Sequence, residues 1–351
     1  MSLKGAARRV LDGLLSRYDY QIVLRSLLYE WQRADREGPR PGASLPPEAE
    51  SYLTPDNPRL RELAEAYSAM PAAVTRPLVW TEGLLAELDL KRFRGESPFL
   101  WQTRLRHGEL HYVLATYYGK TMDSPALLER LEEDGLFGAL TFVVDGRLVS
   151  RDLLDSIVEL CFLEKHLRLS SWRNPILLDI GAGYGRLAHR AVGGFENIGE
   201  FLCTDAVPSS TFLCEYYLRY RKVNYKAKAV PLCDLAATLR SRRPDIAINI
   251  HSWSECTLDA IGWWLDVLAA NEIRYLMVVP NPVDHGGTRL TNNVGQDFSG
   301  LVTKAGYRLV AKEPKYRDPA VQRYGLFPTY YWLFELSQEA ASTAATARTS
   351  T

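Results

Sequence analysis

An α/β fold is what the chain predicts: a doubly wound, mostly parallel sheet closed by an antiparallel hairpin, behind a mainly helical N-terminal region. Three observations carry this. Four short apolar runs, at 176–180, 200–205, 245–250 and 275–279, have the texture of strands buried on both faces. Helix-like segments at 186–192, 210–220, 235–240 and 258–270 lie between or beside them, the alternation of a parallel sheet. The first 150 residues lack that alternation and carry helical spacing instead.

Taken in order, residues 6–32 place Val10, Leu14, Leu15, Tyr18, Ile22, Val23 and Leu27 at helical intervals. The segment Glu37–Pro58 holds six prolines without periodicity and reads as a stiff loop. Asn57-Pro58 fits an N-cap followed by the first helical position, opening a helix that ends before Pro71. Thr81 and Ser124-Pro125 open two more helices, and Gly135 suits the C-cap of the second. Asp145-Gly146 joins Leu140–Val144 to Arg147–Val149 as a type I′ hairpin. Ser150 then caps a helix from about Arg151 to Leu167. At the other end, Tyr307–Lys312 and Tyr330–Leu336 read as two strands with no helix between them, a closing hairpin at the sheet edge. These boundaries give a helical cap over 1–150, an α/β domain over 151–338, and a tail over 339–351 too poor in large apolar groups to fold.

The chain has 351 residues, with 42 Lys+Arg against 42 Asp+Glu. That balance argues against a polyanionic partner, since nucleic acid and anionic lipid are met with clustered positive charge. Hydrophobic residues make up 46% of the chain, enough for a core. No apolar run approaches the length of a membrane span, and the N-terminus is too charged for a signal peptide. Five cysteines without a CxxC pair fit reduced thiols and a cytoplasmic location.

The sharpest motif is Asp179-Ile-Gly181-Ala182-Gly183-Tyr184-Gly185-Arg186, between a strand and a helix. Glycines let the backbone approach a ligand closely. A dinucleotide fingerprint wants glycine where Arg186 stands. GxGxG led by an acidic residue suits S-adenosylmethionine better, with Asp179 attracting its amino group. Asp205 ends the next strand, where a carboxylate can accept ribose hydroxyls, with Ala206 beside it. Asp234 follows the place of a third strand and is a candidate for the adenine amino group, or a helix cap. Asn249 and His251 end the fourth, on the side that faces ligand. A histidine there is a candidate general base for deprotonating a hydroxyl, with Glu255 orienting it or acting as base itself.

Two patterns are weaker. His107 and His111 have metal-ligand spacing, but the glutamate of HExxH is misplaced. Arg219–Lys228 sets five basic residues among tyrosines, which could stack RNA but fits the basic end of a helix. A divalent metal such as Mg2+ would find Asp284, His285 and Glu255 as candidate ligands, with no tight cluster among them to predict one.

LLDIGAGYGRLAHR and INIHSWSEC resemble the class I S-adenosylmethionine-dependent methyltransferases, and within them the bacterial sugar O-methyltransferases. VSRDLLDSIVELCFL, the Asp205 strand and TYYWLFEL are similar to that family too, so the resemblance spans roughly residues 90–337. Asp179 departs from a frequent glutamate but keeps its charge; Trp253 and Cys256 stand where Phe and Met are common, which alters the pocket's shape. The resemblance implies a Rossmann-like fold and an O-methyltransferase of sugar hydroxyls. Its cofactor would be S-adenosylmethionine, held by Asp179, Gly181, Ala182, Gly183, Tyr184, Gly185, Asp205, Ala206, Asp234 and Asn249. His251 and Glu255 would be catalytic, and Trp101, Arg104, Tyr184 and Trp253 would bind substrate. The expected partner is a small sugar or glycoside, with a homodimer as the candidate assembly. The alternatives are a phenolic, polyketide or RNA acceptor, or a non-catalytic cofactor-binding protein.

Overall fold

The computed structural model describes residues 11, 15, 24–40, 42–75, 78–100, 108–122 and 126–337. Trp101, Arg104, His107, Ser124-Pro125, residues 339–351 and most of the helix expected before residue 24 lie outside them.

Strands β1 (Thr141–Val144) and β2 (Arg147–Ser150) form the expected hairpin, with Asp145 and Gly146 at φ 51° and 74°. The main sheet has seven strands: β3 (Ile176–Ile180), β4 (Glu200–Thr204), β5 (Ala227–Ala229), β6 (Ile246–Ile250), β7 (Tyr275–Val279), β8 (Tyr307–Pro314) and β9 (Tyr330–Leu336). Their order is β5-β4-β3-β6-β7-β9-β8, parallel from β5 to β7. This is a doubly wound, Rossmann-like sheet. Its order reverses at β3, which has β4 on one side and β6 on the other, so a crevice opens at their carboxyl ends.

β9 runs antiparallel between β7 and β8. The closing pair is antiparallel and lies at the sheet edge as expected, with β8 outermost and β9 inside it. It departs in one way: a short helix, Pro319–Tyr324, capped by the Asp318 carboxylate, lies between its strands. The edge strand, β8, carries Arg308, Lys312 and Glu313 and a register shift between Leu309 and Ala311, features that discourage further strand pairing.

The helix Arg151–Leu167 starts where expected, with Ser150 Oγ accepting from Leu153 N. Residues 151–163 are all buried, on every face, so this helix is a central element despite its charges. Asn57 caps Pro58–Ser68 as predicted. The proline-rich loop contains one helical turn, Pro47–Tyr52, opened by Pro47 at its first position. The helix expected after Ser124 reduces to Leu127–Arg130, so Gly135 begins a 3-10 turn instead of capping it. Tyr67 and Arg59 dock the N-terminal region on Pro208–Tyr220: Tyr67 Oη meets Thr211 Oγ1 at 2.8 Å and Arg59 pairs with Glu215. Among the described residues no helix is long and apolar enough to cross a membrane.

Candidate active site

A pocket opens at the switch point. Its floor is the loop 181–184 after β3, with Asp179, Asp205 and His251 at the strand ends; Trp80, Pro98, Phe99 and Leu100 roof it from the N-terminal region. Gly181 and Gly183 adopt φ 72° and 56°. A Cβ on Gly181 would lie 2.2 Å from Ser252 Oγ, and one on Gly183 would press on the Phe99 ring at 3.2 Å. The loop thus needs glycine for its turn and for close packing under the roof.

Asp179 is 4% exposed, and among the described residues no hydrogen bond reaches its carboxylate. Burial pushes it up to about 7, against the attraction of Arg186. Asp205 is also buried, and each oxygen takes one backbone N–H: Oδ2 from Gly183 at 3.0 Å, Oδ1 from Val207 at 2.8 Å. Burial raises it to about 6 despite those bonds. Each oxygen keeps lone-pair capacity for a further donor.

His251 lines the pocket at φ 65°, a strained conformation for a side-chain-bearing residue, and its Nδ1 has no partner among the described residues. Burial first, then Arg151, lowers its pKa to about 3. The ring is therefore neutral at physiological pH. Glu255 does not orient it: its Oε2 accepts from Trp80 Nε1 at 2.7 Å and its Oε1 from Asn281 at 3.4 Å. Burial pushes Glu255 up to about 7.

Asp234, Asn249 and Trp253 lie outside the pocket lining, and Tyr184 lies within it. Asp234 is exposed and outside the pocket, because β5 stops five residues short of it and a turn carries it away; its side chain makes no cap bond either. Asn249 is fully buried below the pocket, donating to Ile180 O and accepting from Trp253 N, so it braces two strand ends. Trp253 is fully buried against Phe298 and does not line the pocket. Tyr184 lines the pocket with its ring, while its hydroxyl turns away to Asp152 at 2.9 Å.

Among the described residues no group of three His, Cys, Asp or Glu is placed to hold a metal. His285 Nε2 contacts Thr291, Asp284 is exposed, and Glu255 is held by Trp80, so that trio does not converge. His111 is a core residue whose Nδ1 meets Gly325 O at 2.8 Å. The basic run is engaged internally: Arg219 stacks on Tyr52, Arg221 pairs with Asp134, and Lys228 pairs with Glu200.

Residues that the motifs did not indicate also line the site: Arg151 and Asp155 on the central helix, and Trp80 and Phe99 in the roof. Asp155 bridges Arg151 Nε (3.1 Å) and Lys315 Nζ (2.5 Å). Arg186 bonds Glu159 and Ser156 behind the glycine loop. The acidic and basic residues at four-residue spacing in 151–159 were the available signal.

No family model matches the chain, and no curated protein matches it. Among solved structures, it is similar to the SAM-bound magnesium protoporphyrin IX methyltransferase of Synechocystis (11% identity, TM-score 0.38), over 64% of this chain and 97% of that one. It is similar to the mitomycin 7-O-methyltransferase MmcR (16%, TM-score 0.36; 53% and 57% of the two chains). It is also similar to the [4+2]-cyclase SpnF (16%, TM-score 0.37; 64% and 94%). What this chain does is read from its pocket.

Proposed function

We propose that the chain is an S-adenosylmethionine-dependent O-methyltransferase acting on a sugar hydroxyl, with 1–150 as cap and 151–338 as catalytic domain. The observation that carries this is Asp179, a buried carboxylate without a donor beside a glycine loop at the switch point. Such a group costs free energy until a cation or donor reaches it. The methionine ammonium supplies one, and the spare lone pairs of Asp205 suit the ribose hydroxyls. When bound, the cofactor supplies an activated methyl group.

The chain's own residues do the rest. Gly181–Gly183 admit the ligand backbone-close, and Trp80 and Phe99 exclude water above it. The unpartnered Nδ1 of His251 takes the hydroxyl proton as the acceptor oxygen is alkylated. That role needs the tautomer with its hydrogen on Nε2, and the burial that keeps the ring neutral also makes it a weaker base than a free imidazole. Trp80 offers an aromatic face to a sugar ring, and Glu255 a polar edge. The same aromatic roof favours a phenolic acceptor as the second reading.

Calorimetry with S-adenosylmethionine, followed by mass spectrometry of a panel of glycosides and phenols, tests this. Binding and a one-methylene mass gain on a glycoside are expected. His251→Ala should keep binding and lose transfer by about 10²–10⁴-fold. No cofactor binding, or unchanged binding in Asp179→Ala, sinks the proposal.

A further inference from the structure

The connection between β8 and β9 reaches the pocket without carrying any of its motifs. Lys315 is 4% exposed, and its ammonium donates to Asp155 Oδ1 (2.5 Å), Leu326 O (2.8 Å) and Phe327 O (3.4 Å). Those acceptors account for all three of its donors. The turn they hold ends in Phe327, at φ 46°, a strained conformation for a phenylalanine. His111 reinforces it from another helix, through Gly325 O. The Phe327 ring sits between two pocket residues. Arg151 Cζ lies 4.0 Å over its face, and His251 meets it edge-on at 5.5 Å and 76°. His251 is itself at positive φ. Two strained residues thus face each other where the pocket needs a fixed imidazole, and a buried lysine secures one of them.

We propose that Lys315 is a positioning residue that, by fixing Asp155 and the Leu326–Phe327 turn, wedges Phe327 between Arg151 and His251 and so sets the imidazole in the pocket. This rests on the reading of His251 as proton acceptor. The charged groups around His251 are Arg151 and Asp155 from the central helix, Lys315 from this connection and Arg186 from the glycine-loop helix. Removing Lys315 alone would take from Asp155 one of its two bonded cations and leave Arg151, so the informative variant is Lys315→Met with Asp155→Asn, which removes one charge of each sign.

The test uses the full chain with selectively labelled histidine, His251→Ala assigning the resonance. In the double variant the His251 Cε1–H signal should leave its wild-type position as the Phe327 edge withdraws. S-adenosylmethionine affinity by calorimetry should hold, and kcat should fall about 10–100-fold with acceptor KM little changed, as expected when a proton acceptor is misplaced. Phe327→Leu, which leaves both charges in place, should lower kcat likewise with cofactor affinity held; loss of its ring current shifts the signal wherever the imidazole sits, so kcat is the readout of this variant, and it decides the matter if the double variant does not fold. Wild-type signal and kcat in the double variant, or wild-type kcat in Phe327→Leu, overturn the proposal. If wild type neither binds the cofactor nor transfers methyl, the functional reading falls by itself, and the His251 signal of the double variant, which keeps the Phe327 ring, still decides whether Lys315 places the imidazole.

Discussion

Two sets of buried carboxylates flank the glycine loop, and their surroundings treat them in opposite ways. On one side, Asp152 takes Arg94 Nε (2.9 Å), Arg190 Nε (3.0 Å) and the Tyr184 hydroxyl, while Glu133 takes Arg94, Arg190 and Ser150. Burial alone would raise both, but the two guanidinium groups outweigh it and hold Asp152 and Glu133 below the usual carboxylate range. On the other side, Asp179, Asp205 and Glu255 have few or no donors and no bonded cation, and burial pushes them up to about 7, 6 and 7. The first set ties helix Arg151–Leu167 to the roof segment and to helix Arg186–Gly194; the second lines the pocket. Carboxylates that hold the fold carry their counter-ions with them, and those that line the pocket have no cation bonded to them among the described residues.

The largest effect should come from breaking the satisfied set. Asp152→Ala takes from the buried Arg94 and Arg190 one of the two carboxylates they share and leaves them Glu133 alone, and urea denaturation should show a loss of about 3–5 kcal/mol. The same kind of change in the unsatisfied set should do the reverse. Asp179→Asn should leave the apo fold as stable or more so. Its cofactor affinity by calorimetry should drop about 10–100-fold, which is about 1.4–2.7 kcal/mol. A large fold loss in Asp179→Asn would erase the contrast.

A smaller effect should appear in the pH dependence of apo stability. Asp179, Asp205 and Glu255 are raised when folded, so between the unfolded carboxylate range, about 4, and their folded values of about 6 to 7 the folded chain binds more protons. Stability should therefore fall as pH rises through that window. Asp152 and Glu133 act oppositely: their stabilisation is full above the unfolded carboxylate range and is lost as pH falls below it. Thermal melts from pH 4 to 8 check this, and Asp179→Asn should flatten the slope. Glu255→Gln should do least. Its amide oxygen still accepts from Trp80, so the fold should change by less than about 1 kcal/mol while the same slope becomes shallower.

What could be read in advance follows distance along the chain. The glycine loop, Asp179 and the caps at Asn57 and Ser150 are local patterns, and the structure has them where spacing put them. The Lys315–Asp155 pair joins residues 160 apart, and Trp80–Glu255 joins residues 175 apart, so neither leaves a local trace. Asp234 and Trp253 lie in turns beyond their strands and outside the pocket, and Asn249 lies within β6 with its side chain bonded to neighbouring backbone. Strand-end position says that a residue is near the ligand side, but the turn after the strand decides whether its side chain faces ligand, core or solvent. The closing hairpin was legible as two strands at the sheet edge, while the place of β9 inside β8 was set by pairing with β7, about 55 residues earlier.

That interior place has a consequence for synthesis. β9 is hydrogen-bonded on both edges, to β7 and to β8. Until Tyr330–Leu336 has left the ribosome, β7 presents an open apolar edge and β8 has no neighbour. The nascent chain can assemble β3 to β7 early but cannot seal the sheet, so a late, non-local step governs when the molecule becomes safe from aggregation. Stop codons or ribosome stalls shortly before Tyr330 should therefore yield insoluble product rather than a trimmed enzyme.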